Sequence, residues 1–196
     1  MRSWKLLTLN NKAFEISEKR LAILLHFKGK LNGPMSMELE LVPVTKDDAE
    51  KILMFIRLGK DYFKDLDFEE RERFMQSILS RLGEPDRWLF LLKYQNEYVG
   101  LAHVKIDKSE RPGWGFILEF YIVPSKRRMG LGRKFFSLIE DLLRSKGVKD
   151  IWLLATEAIP FWCSLGFRLT GEIDKETGQM ILTKSLRSAD NSSLES

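Results

Sequence analysis

Apolar and polar residues alternate through "MELELVPV" (37–44), the two-residue period of a half-buried strand. The period then lengthens. "TKDDAEKILMFIRLGKDYF" (45–63) predicts a helix with Thr45 as N-cap and acids in its first turn. "DFEERERFMQSILSRLG" (67–83) repeats that grammar, with Phe68, Phe74, Ile78 and Leu82 near helical spacing and Gly83 as the stop. Three strand-like runs follow at 87–94, 98–106 and 114–123. The short Gln95–Asn96 link and the longer "DKSERPG" make them an antiparallel meander.

The helical period returns over 129–146. Leu131, Phe135, Leu138 and Leu142 mark one face with Ile139 and Leu143 beside it, and Arg144 and Lys146 precede the terminating Gly147. "DIWLLAT" (150–156) reads as a buried strand and "EAIPFWCSLG" (157–166) as a short helix closed by Gly166. "FRLTGEI" and "QMILTKSL" form a closing hairpin. The order is β-α-α-β-β-β-α-β-α-β-β, an α+β chain with one βαβ crossover over 114–155.

Composition narrows the class. A chain of 196 residues, 44% apolar and 31% charged, suits one ordinary domain with a core of its own. Its net charge of +4 is uneven, with seven Lys/Arg against two Asp/Glu in residues 1–36 and near balance afterwards. The reading is an N-terminal basic extension over 1–36, helical in pattern, a domain over 37–186, and a polar tail over 187–196. The extension is expected to dock on its own domain or on a second copy in a homodimer. A membrane-surface or nucleic-acid arm is the sharper alternative, and the near-neutral domain argues against nucleic acid. No apolar run approaches the roughly 18 residues that span a bilayer, and "LAILLHF" is too short and too far inside for a signal peptide. A single cysteine, Cys163, points to a reducing cytoplasm. Two histidines and one cysteine leave little with which to build a metal site, so none is expected.

The densest chemistry lies in "FYIVPSKRRMGLGRKFF" (120–136), where five Lys/Arg crowd a helix N-terminus without an acid. That end of a helix carries partial positive charge, so cations are unfavourable there unless an anion joins them. Gly130 and Gly132 let a ligand approach the backbone, and the unpaired N–H groups of the first turn suit a phosphate or pyrophosphate. The P-loop pattern does not occur, and the dinucleotide pattern fails where Phe135 replaces its third glycine.

"RRMGLG" (127–132) resembles the acyl-coenzyme A signature R/Q-x-x-G-x-G/A of the GNAT acetyltransferase superfamily, and "AIPFWCSLGF" (158–167) resembles its second signature. The resemblance covers about residues 37–185. It implies a mixed, mostly antiparallel sheet of six to seven strands flanked by about four helices. That sheet would be splayed between 114–123 and 150–155, with acetyl-CoA as co-substrate. The pantetheine arm would pair near Ile122 and Val123. The pyrophosphate would sit on the loop Arg127, Arg128, Met129, Gly130, Leu131, Gly132 and Arg133, and the adenosine 3′-phosphate near Lys126, Arg133 or Lys134. The implied reaction is direct acetyl transfer to a small-molecule or protein amine.

Such transfer needs a proton acceptor for the amine and a donor for the thiolate. Alternation over 114–123 places Ile117, Glu119, Tyr121 and Val123 on one face. Glu119 is the only carboxylate of that strand, where the resemblance implies the base, so it is the expected base. Tyr121 is the expected donor or water-orienting group. An ion-paired glutamate and a packed tyrosine are the plainer readings. Two positions depart from the family. Trp162 stands where a tyrosine is usual, and Ala155 where asparagine is, which raises the alternative of a silent acyl-CoA-binding module. His103 reads as a structural histidine or a proton carrier and Cys163 as a packed thiol. The acids Asp61, Asp65, Asp67, Glu69 and Glu70 either attract a cationic amine or form a solvated helix start.

Overall fold

The computed structural model describes residues 39–187; the expected extension over 1–36 and nearly all of the tail lie outside the described residues. The elements are β1 (Leu39–Pro43), α1 (Ala49–Tyr62), α2 (Phe68–Ser80), β2 (Arg87–Tyr94), β3 (Glu97–Ile106) and β4 (Gly115–Ile122). They continue with α3 (Leu131–Ser145), β5 (Asp150–Ala155), α4 (Ile159–Ser164), β6 (Arg168–Ile173) and β7 (Met180–Ser185). This is the order that the periodicity predicts.

The seven strands form one sheet in the order β1-β2-β3-β4-β5-β7-β6, in which β4 and β5 are the parallel pair. Gln95 and Asn96 both take positive φ, 48° and 67°, the two-residue turn whose twist suits the β2–β3 hairpin. One sheet face packs under α3, where Phe90, Leu92, Ile117, Phe135, Phe136 and Ile139 are buried together. The other packs under α1 and α2, where Leu89, Leu91 and Leu101 meet Phe55, Leu58, Met75 and Ile78. Central strands covered on both faces read as continuous apolar runs, which is why "LFLLKY" shows no clean alternation. Phe135 and Phe136 are essentially inaccessible, and each contributes on the order of 1.5–3 kcal/mol of burial.

Three expectations are corrected. Asp48, not Thr45, caps α1: its Oδ1 accepts from Lys51 N at 3.0 Å, while Thr45 opens the preceding turn. In α2 the inward residues are Met75 and Ile78; Phe74, one position and about 100° off that stripe, and Phe68, on the first turn, are exposed. Alternation along β4 also fails, because its register against β3 shifts between His103↔Glu119 and Val104↔Ile117. One extra residue, Leu118, bulges there. Ile117 therefore packs under α3, whereas Tyr121 packs on the α1 side.

The bulge shapes the sheet. Parallel pairing of β4 with β5 covers Gly115↔Ile151, Phe116↔Trp152 and Ile117↔Leu153 and then stops. A bulged strand bends and twists more strongly than its neighbour. From Leu118 to Ile122, β4 diverges from β5, and the sheet opens at its centre. Among the described residues no helix is long and apolar enough to cross a membrane.

Candidate functional site

The open end of β4 leads into a 3-10 turn (Pro124–Lys126) and then a loop that starts α3 at Gly130. Arg128 adopts φ 63° and Gly130 φ 73°, two left-handed residues that turn the chain sharply into the helix. No side chain caps this helix end, and its first turn holds no acid. A β-carbon at Gly130 would meet nothing within 4 Å, so the space over the turn is open. Backbone N–H groups of an uncapped first turn attract an anion into such a space.

The basic side chains divide their work. Arg127 Nε donates to Ile122 O at 2.8 Å, and its guanidinium lies 5.5 Å from the Tyr121 ring centre. Lys126 pairs with Glu97 at 2.7 Å. Arg133 reaches across to α4, donating from Nη1 to Ser164 O at 2.9 Å and from Nη2 to Ser164 Oγ at 3.2 Å. Arg128 is exposed beside the open turn. Both backbone groups of Val123 are engaged, its N–H by Val99 O and its carbonyl by Lys126 N. Alternation of hydrogen-bonding direction leaves the N–H of Ile122 on the open side.

On the α1 side of β4 stand two tyrosines. The Tyr121 hydroxyl donates to Asp61 Oδ2, and its ring lies 5.2 Å from that of Tyr62. Burial first, then the bond to Asp61 and its charge, push the Tyr121 phenol up to about 12. Burial, with the charges of Glu119 and Glu157 behind it, pushes Tyr62 to about 12 as well. Both phenols stay protonated at neutral pH and serve as donors. Glu119 is mostly buried, with Oε2 lying 3.3 Å from Nδ1 of the buried His103.

Helix α4 faces the opening from the β5 side. Trp162 is buried, with ring centres of Phe120, Phe136, Phe161 and Phe167 within 5.7 Å of its own. It is a packing residue and offers no acid. Cys163, expected to be packed, is exposed instead, because it lies one position round from Trp162 on a helix that buries that face alone. Of the acids, Asp67 caps α2 by accepting from Glu70 N at 2.8 Å, Asp65 is exposed, and Asp61 alone joins the tyrosines.

The structure thus joins Glu119 to His103 and Tyr121 to Asp61, and Arg127, at the start of the glycine turn, lies over the Tyr121 ring. It adds Tyr62 and Arg87, which the sequence did not single out. Tyr62 ends α1 without a local signal, and Arg87 becomes visible only once the β2–β3–β4 register is known. Two concavities of about 260 and 300 Å³ lie elsewhere, one beside Glu84 and Lys108 and the other beside Arg73 and Phe74. Neither is at the opening, which is a slot in the sheet. Among the described residues no cluster of three His, Cys, Asp or Glu could hold a metal.

The model of the acetyltransferase (GNAT) family matches residues 53–167, more than half the chain. No curated protein sequence matches. Among solved structures, an acetyltransferase from Thermus thermophilus is similar at 24% identity and TM-score 0.58, over 76% of this chain and 97% of that one. The PaiA N-acetyltransferase from Thermoplasma acidophilum, in complex with coenzyme A, is similar at 17% identity and TM-score 0.55, over 77% and 99%. Tetrahymena GCN5 is similar at 12% identity and TM-score 0.59, over 78% and 97%. At these identities the structures share the fold.

Proposed function

Because the chain belongs to the acetyltransferase (GNAT) family, and is an acyltransferase on that ground, we propose that it moves acetyl from acetyl-CoA directly to a primary amine within one ternary complex. The observation that carries this reading is the slot between β4 and β5, continuous with an uncapped helix turn whose Gly130 faces open space.

Those residues fit acetyl-CoA. The N–H groups from Arg128 to Arg133 are assigned to its pyrophosphate, with the exposed Arg128 beside them and Met129, Leu131 and Gly132 shaping the turn. Arg127 and Arg133 hold the walls of the slot, the first through Ile122 O and the second through Ser164. Ile122 N–H is assigned to the pantetheine arm, and Val123 fixes its approach. When bound, acetyl-CoA supplies the activated acyl group, and the chain supplies position and proton transfer.

Glu119 accepts the proton from the attacking amine, directly or through one water. As the C–N bond forms and the C–S bond breaks, Tyr121 donates to the departing sulfur. Its phenol keeps its proton at neutral pH. At rest that proton is donated to Asp61, and the hydroxyl turns it to the sulfur as the thiolate leaves and regains one from water. This removes the need for a tyrosine at Trp162. Exposed Asp61 and the nearby charge of Glu157 favour a cationic acceptor, whether a polyamine, an aminoglycoside or a lysine side chain.

Thermal melts with acetyl-CoA, NAD and ATP test the coenzyme: acetyl-CoA at about 100 times its dissociation constant stabilises by roughly 2.7 kcal/mol. Thiol release across spermidine, kanamycin and a lysine peptide then tests turnover, with intersecting initial-rate lines expected for a ternary complex. Acetyl-CoA binding without thiol release on any amine would favour a silent acyl-CoA module. Parallel lines would overturn direct transfer.

A further inference from the structure

We propose that Arg87 and His103 act as positioning residues, locking one imidazole tautomer that presents Nδ1–H to Glu119; this rests on Glu119 being the base. The register makes the arrangement. His103 on β3 lies opposite Leu89 on β2 and Glu119 on β4. Arg87, two residues from Leu89, shares its sheet face and reaches His103 diagonally.

Arg87 Nη1 lies 2.7 Å from His103 Nε2. A guanidinium has five donors and no acceptor. Nε2 must therefore accept, and the imidazole proton resides on Nδ1, which faces Glu119 Oε2 at 3.3 Å. Both of these buried atoms lack any other hydrogen-bond partner. The contact is long and imperfectly aligned, as catalytic hydrogen bonds often are before substrate tightens them.

The consequence is a division of the carboxylate. Nδ1–H steadies Oε2, and Oε1 is left to receive the amine proton. Because Arg87 occupies Nε2, His103 has no second site for a proton while that bond stands. The proton therefore remains on Glu119 and leaves from there to water. Arg87 is itself held, with Nε 2.8 Å from Glu84 Oε2 and its side chain only 8% exposed. A purely structural Arg–His pair predicts otherwise, since apolar replacement of a buried polar pair is often neutral or stabilising.

The tautomer is read without any acceptor. The chain has two histidines, His26 and His103, so ¹⁵N-histidine spectra contain two imidazoles, and His103→Asn identifies one by its loss. Wild type is expected to show His103 neutral and protonated on Nδ1, and Arg87→Met to release it to the Nε2–H form. An Nε2–H tautomer or an imidazolium in wild type overturns the proposal.

Kinetics with acetyl-CoA and a turned-over amine complete the test. His103→Asn, whose amide replaces Nδ1–H, is expected to keep kcat near wild type. His103→Gln and His103→Leu are expected to lower kcat by about 10- to 100-fold, with KM for acetyl-CoA unchanged. In a Glu119→Gln background the His103→Leu loss should vanish. Equal kcat in all three His103 variants, or an undiminished loss in that background, overturns the positioning role. Full turnover by Glu119→Gln alone instead removes Glu119 as base. Should His103→Leu fail to fold, the Asn-to-Gln ratio decides.

Discussion

Gly132 stands against the edge of Phe161: a β-carbon there would lie 3.1 Å from both Cε2 and Cζ of the ring. At Gly130, two residues earlier, a β-carbon would meet nothing within 4 Å, and the glycine is favoured instead by its φ of 73°. Two glycines of one motif thus answer different demands. One lets α4 pack against α3, and the other bends the chain under open space. Gly132→Ala is expected to lower Tm while keeping the acetyl-CoA-induced rise, because Phe161 must give by a few tenths of an ångström. Gly130→Glu should abolish that rise by placing bulk and negative charge over the turn, and melts with and without acetyl-CoA check both.

Arg133 bridges α3 to the end of α4 through Ser164. Arg133→Ala is expected to cost about 0.5–1.5 kcal/mol for the lost bonds to Ser164. Ser164→Ala retains the backbone acceptor and should cost less. Additive losses in the double variant, read by denaturant melts, would show that the two residues act separately.

The sequence carried the element order because periodicity and glycine stops are local, and the α3 stripe from Leu131 to Leu143 survived almost intact. It misread β4, where one extra residue at Leu118 undoes alternation between Ile117 and Glu119. A bulge leaves no mark on hydropathy, since Ile117 is apolar on whichever face it lands. The glycine turn was legible as a motif, yet the separate duties of Gly130 and Gly132 needed the packing of Phe161. Tyr62 and Arg87 were out of reach for the same reason as His103–Glu119: each matters through a neighbour 16 to 60 residues away.

Stability should fall at both ends of the pH range, each from a nameable group. Burial opposes the charge on Asp107, but backbone N–H donors from Arg111 and Ser109 and the ammonium of Lys105 prevail and hold its carboxyl at about 2. A depressed folded value gives stability that is complete above the ordinary 3.8 and is lost as pH falls toward 2. Tyr62 and Tyr121 have the opposite sign: both are raised to about 12, so their contribution is complete below 10 and is lost as pH rises through 12. Tm against pH is expected to drop on both limbs, and Tyr62→Phe should flatten the alkaline one.

Glu119→Gln is expected to lower kcat by about 100- to 10,000-fold, the range for a lost general base, with acetyl-CoA affinity intact. The amide keeps the volume and the contact with His103 but accepts no proton at neutral pH. Initial rates together with a coenzyme titration separate the two effects.

Tyr121 and Asp61 form the last testable pair. If Tyr121 delivers the proton to sulfur, Tyr121→Phe lowers kcat with a good amine while leaving the acetyl-CoA dissociation constant unchanged. Asp61→Asn keeps an acceptor for the phenol but removes a charge that helps to raise it. The Tyr121 phenol should then ionise at lower pH, and tyrosinate absorbance reads that shift directly. The same variant should raise KM for a polyamine more than for an uncharged-tail amine, since Asp61 is the exposed carboxylate beside the tyrosines. Equal KM changes for both amines would mean that Asp61 serves the phenol alone, and unchanged kcat in Tyr121→Phe would transfer the donor role to Tyr62, whose ring lies 5.2 Å away.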